Sequence, residues 1–211
     1  MSAIELYTWA TPNGRKVSIM LEELGLAYNV HRIDISKGEQ HQEHFLAISP
    51  NNRIPAIIDP EGPEGDALSL FESGAILVYL AEKTGSDLLP SSGTRRARTF
   101  EWLMWQMGGV GPMFGQAHHF LFQPKQDVPY GKKRYHDETR RLYKVMNGRL
   151  EQVPYLAGDD YSIADVATYP WIARHPRHQV ELEEFPAVKR WYDGLSERPA
   201  VQKGMAVPFL N

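Results

Sequence analysis

An α/β domain followed by an all-helical one is the architecture that the sequence predicts, on three observations. Residues 1–85 alternate short β-prone runs with amphipathic helical runs. A stretch rich in turn formers, 86–94, holds Pro90, Ser91, Ser92 and Gly93 and marks a linker. From 95 to 211 the apolar residues recur with helical rather than strand spacing. The expected domains are therefore 1–85 and 95–211, joined by 86–94.

The first domain opens with a β-prone run, Ile4 to Thr8, followed by the turn cluster Ala10-Thr11-Pro12-Asn13-Gly14. Val17, Met20, Leu21 and Leu24 then share one helical face, and Gly25 supplies the stop. Tyr28 to Ile35 is the second strand, and a strand-helix-strand unit of this length implies a parallel pair with a right-handed crossover. Lys37 to Ala47 is charged and histidine-rich, a loop with one short helix.

Next come strand Ala56 to Asp59, a Pro- and Gly-rich loop (Pro60 to Asp66), antiparallel strand Ala67 to Phe71, and a helix from Ser73 to Lys83. The order βαβαββα closes a four-stranded sheet. The strand at Ala56 is entered through Pro55, which cannot donate to a ladder and belongs at strand starts and edges. A cis Ile54-Pro55 bond would turn the backbone polar groups of Ile54 outward. Ser73 is the expected N-cap of the last helix. Glu72 and Ser73 at a helix N-terminus, beside a free strand edge, form a receptacle for something peptide-like with charged ends.

In the second domain, Phe100, Leu103, Met104 and Met107 form one apolar face, with a break expected at Gly108-Gly109-Val110-Gly111-Pro112. Tyr135, Leu142, Met146 and Leu150 line another helix. Ser162 and Asp165 stand at capping-box spacing, and Pro186 begins a helix that buries Val188, Trp191, Tyr192 and Leu195.

Composition removes several function classes. With 42% hydrophobic residues in 211, the chain can bury a substantial core. A net charge of -3 and a pI near 6.2 argue against a nucleic-acid surface. Cysteine is absent, which excludes disulfide staples, cysteine-ligated zinc, iron-sulfur clusters and any protein-borne thiol nucleophile. His118-His119 and His175 with His178 lack carboxylate or cysteine companions at ligand spacing, so no metal is expected. No basic leader precedes an apolar stretch, and no run approaches the ~18 apolar residues of a membrane span. A cytoplasmic protein with no membrane partner is the expectation.

Asn52-Arg53-Ile54-Pro55-Ala56-Ile57, Phe71-Glu72-Ser73-Gly74-Ala75-Ile76 and the Ser162-Ile163-Ala164-Asp165 cap fall in the order seen in cytosolic glutathione transferases, which the chain resembles over essentially its whole length. The resemblance implies a thioredoxin-like α/β N-terminal domain and an all-α C-terminal domain for cosubstrate and dimer contacts. Thr11-Pro12-Asn13-Gly14, Ser49-Pro50-Asn51-Asn52 and the Gly111 to Phe120 stretch are most similar to the bacterial Nu class. That class implies glutathione-dependent disulfide-bond reduction by a homodimer, with oxidised glutathione or two reduced molecules bound. A yeast nitrogen-regulation protein of the same fold acts largely as a binding module.

By this resemblance, the Ile54 backbone pairs with the cysteinyl unit of glutathione at Pro55. Glu72 receives the α-ammonium and Ser73 the α-carboxylate of the γ-glutamyl end. Gln40 and Arg53 are candidates for the glycyl carboxylate, and Arg134 for a further contact, from the same or the partner subunit. The thiol needs a lowered pKa, because a free thiol near ~8.5 is only a few per cent ionised at neutral pH. Thr11 and Asn13, at the junction of strand and helix, can aim polar groups at the sulfur. Tyr7 is the rival, although it lies early in its strand and suits packing better. Trp105, Met113, Phe114, Phe120 and Phe122 could wall the cosubstrate site. The expected reaction is reduction of a small disulfide; conjugation to an electrophile and non-catalytic glutathione binding are the alternatives.

Overall fold

The computed structural model describes residues 2–122 and 126–209. Its elements divide into two compact units, one made of the residues up to Ser91 together with those from Arg198 onward, the other of Ser92–Glu197.

The first unit is built on β1 (Ile4–Thr8), α1 (Pro12–Glu23), β2 (Tyr28–Arg32), a 3-10 turn at Glu39–His41, α2 (Glu43–Leu46), β3 (Ala56–Asp59), β4 (Leu68–Phe71) and α3 (Ser73–Thr84). The βαβαββα order holds, and the sheet runs β2-β1-β3-β4 with β1 and β2 parallel and the other pairs antiparallel. Strand β2 is shorter than the expected Tyr28 to Ile35. After Ile33, whose amide still reaches Thr8 O, the Asp34 carboxylate takes the amide and hydroxyl of Ser36 and folds the chain into a turn. Of the expected face of α1, Val17, Met20 and Leu21 are buried, with Ile19 beside them, whereas Leu24 stands at the C-cap only partly buried; Gly25 at φ +62° closes the helix.

A further helix, α9 (Pro199–Ala206), packs on α1 within this unit. Arg198 holds Glu23 through two bonds of 2.8 and 2.7 Å, and Ser18 Oγ donates to Gly204 O at 2.6 Å. A side chain at Gly204 would place its Cβ 2.5 Å from the Ile19 backbone N and Cα. Gly204→Ala is therefore expected to destabilise the protein by about 1–3 kcal/mol, because backbone rather than a flexible side chain must move. Urea denaturation checks it.

The second unit holds α4 (Gly93–Trp105), a π turn (Gln106–Val110), α5 (Gly111–Phe122), α6 (Pro129–Leu150), α7 (Ile163–Ile172) and α8 (Pro186–Ser196). The expected break at 108–112 is instead this π turn. Its wider loop carries the helical path on to Pro112, which has no N–H to contribute. The face of α4 is also rotated from the expected one. Thr99, Leu103, Gln106 and Val110 are buried, whereas Met104 is 54% exposed. A threonine can stand on the inner face because its hydroxyl donates to Arg95 O at 2.9 Å. The Ser162 capping box on α7 is present, and α8 buries Val188, Trp191 and Leu195, while Tyr192, expected on the same side, is only partly buried.

His118 of α5 and His178 lie stacked in this unit with ring centroids 4.6 Å apart, and a 2.9 Å hydrogen bond joins His178 Nδ1 to the Tyr143 hydroxyl. Burial, with Arg174 and Arg177 nearby, pushes His118 down to about 4; burial and His118 hold His178 well below its usual range. Folding therefore keeps both imidazoles neutral, while the unfolded chain takes up protons below pH ~6.5. The stabilisation is complete above that pH and is lost as pH falls toward about 4. The melting temperature is expected to fall through this window, and less steeply in His118→Phe.

Among the described residues no group of three or more His, Cys, Asp or Glu is arranged to hold a metal. No described helix is long and apolar enough to cross a membrane.

Candidate functional site

Strand register gathers the first unit's site. Tyr7 pairs with Ala56, and Ala56 with Phe71, so the end of β1, the entry to β3 and the end of β4 lie side by side. Trp9 to Asn13, Ile54-Pro55 and Glu72-Ser73 are the segments that extend from those three strand ends.

Thr11 caps α1. Its Oγ1 accepts from Gly14 N at 3.1 Å, and its own amide donates to Trp9 O at 2.6 Å. The hydroxyl hydrogen is not used by the capping bond, so Thr11 can cap and still donate to an anion. A Cβ at Gly14 would sit 2.4 Å from both Thr8 Oγ1 and Trp9 O, which shows how closely α1 starts over the end of β1. Asn13 stands in the first turn, partly exposed, and no acidic side chain there offsets the positive end of the helix.

Ile54-Pro55 is cis. Ser49, fully buried, fixes the preceding loop by donating its hydroxyl to Arg53 O at 2.8 Å. Ile54 lies ahead of the first ladder pair at Ala56, and its amide and carbonyl enter none of the loop and turn hydrogen bonds among the described residues. Its side chain packs with Tyr7, Ile48 and Phe71 around Ile33, Phe45 and Ala56. Tyr7 also stacks on His31 at 4.5 Å, and burial raises its pKa. That is a packing position.

Ser73 is not the cap. It is the first residue of α3, and Glu72 occupies the cap without a capping bond from its own side chain. Glu72 has φ +72°, a conformation costing a non-glycine residue about 1–3 kcal/mol and found mostly where function fixes the backbone. Ser73 is 4% exposed, and its hydroxyl instead accepts from Lys16 Nζ at 3.4 Å. Lys16 is 1% exposed, and burial lowers its pKa to about 7 while Glu72 opposes the shift. Sequence reasoning missed this lysine. Its signal was a cation on the apolar stripe with Ile19 and Met20, at i+3 and i+4.

The remaining candidates differ in setting. Gln40, in the 3-10 turn, has a buried Oε1 without a hydrogen-bond partner, whereas Arg53 is exposed. Arg134 is exposed on α6 in the second unit, on a cavity of about 600 Å³ lined also by Met113, Tyr130, Lys133, Glu138 and Arg141. Of the expected wall residues, Met113 lines that cavity and Phe122 is 50% exposed. Phe114 is core, 1% exposed and stacked on Tyr143, because its side of α5 faces α6. Phe120 stacks on Tyr135, and Trp105 packs edge-on against Trp102.

The chain matches the model of the glutathione S-transferase N-terminal domain over residues 2–82 and that of the C-terminal domain over residues 110–199. It is 51% identical over 204 residues to the disulfide-bond oxidoreductase YfcG of Escherichia coli K12, covering 96% of this chain and 94% of that protein. A crystal structure of a glutathione transferase family member from Pseudomonas fluorescens, with two glutathione bound, superposes with a TM-score of 0.94 at 45% identity, covering 98% of this chain and 93% of the other. One from Pseudomonas putida, with one glutathione disulfide bound per subunit, gives 0.93 at 45% identity, covering 98% and 92%.

Proposed function

Since the chain belongs to the glutathione S-transferase family, we propose that it binds glutathione in the first unit and uses the bound thiol to reduce small disulfides. The observation that carries this reading is the meeting, at one end of the sheet, of an unladdered Ile54 backbone, the Glu72-Ser73 pair and the Thr11-capped start of α1. Ile54 offers an amide and a carbonyl to the cysteinyl unit, in the manner of an added strand. Glu72 takes the α-ammonium and Ser73 the α-carboxylate. Gln40, with its buried acceptor, and Arg53 serve the glycyl end.

The protein has no cysteine, so the reacting sulfur is the ligand's. Its thiolate attacks one sulfur of the disulfide; a mixed disulfide with glutathione forms and the other half leaves as a thiolate. A second glutathione thiolate attacks the glutathionyl sulfur of that product. Oxidised glutathione forms and the second half leaves. Thr11 and Asn13, with the start of α1, favour the thiolate, and each unit by which its pKa falls corresponds to ~1.4 kcal/mol of preferential stabilisation.

The helical unit is proposed to admit the disulfide and to form a homodimer in the cytoplasm, with exposed Met104 and Val145 offering apolar surface. Turnover of hydroxyethyl disulfide tests the reaction. The expected result is a rate that saturates in glutathione and exceeds the uncatalysed one. Activity toward an aryl halide alone would assign conjugation instead, and tight glutathione binding with no turnover would assign a binding module.

A further inference from the structure

We propose that Lys16 is a positioning residue for the amino-acid end of the ligand, its buried ammonium acting with Glu72 as a cation–anion pair matched to the ligand's α-carboxylate and α-ammonium. This rests on the reading that the γ-glutamyl end sits at Glu72 and Ser73. Lys16 comes from the first turns of α1, is 1% exposed, and holds Nζ 3.4 Å from Ser73 Oγ. An ammonium that deep is costly unless an anion compensates it. Glu72 is the charge acting on it, from the strained cap of α3.

Several other charged groups on elements packed against α1 are engaged elsewhere. Lys203 and Arg198 on or beside α9 gather with Glu22 and Glu23 at the far end of α1. Glu5 of β1 is held by Asn29 and His31. On α3, Lys83 pairs with Asp59. Glu72 and the Lys16 ammonium thus bring both signs of charge to the Ser73 end of the helix. A free amino-acid head carries the complementary pair of charges, and its carboxylate at Ser73 would lie over the ammonium as well as the helix N-terminus.

The consequence is a proton linkage. Burial lowers the Lys16 pKa to about 7, so near neutrality the ammonium is partly deprotonated. A carboxylate docking at Ser73 favours the charged form and draws a proton from solvent.

The test uses S-methylglutathione, which has no ionisable thiol, and its analogue lacking only the γ-glutamyl α-carboxylate. Calorimetry of the wild-type protein at pH 7.5 in buffers of different ionisation enthalpy is expected to show uptake of roughly half a proton with S-methylglutathione and none with the analogue. At pH 6.5, Lys16→Met is expected to weaken S-methylglutathione binding by roughly 30-fold or more, and binding of the analogue by no more than about 3-fold. A structural role alone would weaken both equally and leave proton uptake absent.

Equal weakening of both ligands, or no uptake by the wild type, overturns the proposal. Should Lys16→Met fail to fold, proton uptake by the wild type decides. If Ser73→Ala and Glu72→Gln both leave S-methylglutathione binding unchanged, it is the placement of the γ-glutamyl end that has failed. If they weaken it and Lys16→Met does not, only the role of Lys16 has failed.

Discussion

Thr11→Val is expected to slow glutathione-dependent disulfide turnover by roughly 10- to 100-fold, mainly in kcat, while Thr11→Ser stays near the wild type. The hydroxyl occupies the cap with its acceptor side, taking Gly14 N at 3.1 Å, so its hydrogen remains for a sulfur anion. Valine keeps the shape and removes both functions. Loss of the cap alone costs about 1 kcal/mol of stability, which a melting curve registers separately from rate. Asn13→Ala is expected to act in the same direction by a smaller factor, because the start of α1 and the Thr11 hydroxyl remain. A Thr11→Val enzyme with wild-type kcat would remove Thr11 from the chemistry, and a large loss in Tyr7→Phe would transfer the role to the tyrosine.

Asp165→Ala is expected to destabilise the helical unit by about 3–5 kcal/mol. Asp165 is fully buried at the start of α7. One carboxylate oxygen accepts from Leu156 N at 3.0 Å and from the Trp191 indole at 2.8 Å. The other accepts from the amide and the hydroxyl of Ser162, both at 3.1 Å. Burial pushes the carboxyl pKa up and these donors pull it back. Alanine leaves two backbone amides and an indole N–H without an acceptor in the interior, well beyond the loss of an ordinary surface cap. Urea denaturation followed by tryptophan fluorescence measures it. A change within about 1 kcal/mol would show that water or backbone movement satisfies those donors.

The parts of this site that could be read from sequence are those where one residue type forces a local geometry. Pro55 cannot enter a ladder, and Ile54 does lie outside it. Thr11-Pro12-Asn13-Gly14 reads as a turn cluster between strand and helix, whereas Thr11 caps α1 and Pro12, Asn13 and Gly14 already form its first turn. The Ser162 and Asp165 spacing reads as a capping box and forms one, yet spacing did not reveal that Asp165 also joins Leu156 to Trp191. Ser73 shows the limit of such rules. A serine before an apolar run is the expected cap, but tertiary contact with Lys16 claims its hydroxyl, and Glu72 takes the cap in a conformation no propensity favours. Met104 failed for a related reason, since a buried threonine with an intrahelical acceptor can turn a helix face away from its most hydrophobic stripe. Lys16 showed only as a cation on an apolar stripe, and its contact with Ser73, 57 residues on, could not be read from local spacing.

A crystal structure with oxidised glutathione bound tests the central claim most directly. One glutathionyl unit is expected with its cysteinyl backbone on Ile54, its γ-glutamyl end at Glu72 and Ser73, and its sulfur within hydrogen-bond reach of Thr11 Oγ1 or Asn13. A sulfur placed on the Tyr7 hydroxyl, or a ligand bound away from the ends of β1, β3 and β4, would contradict it.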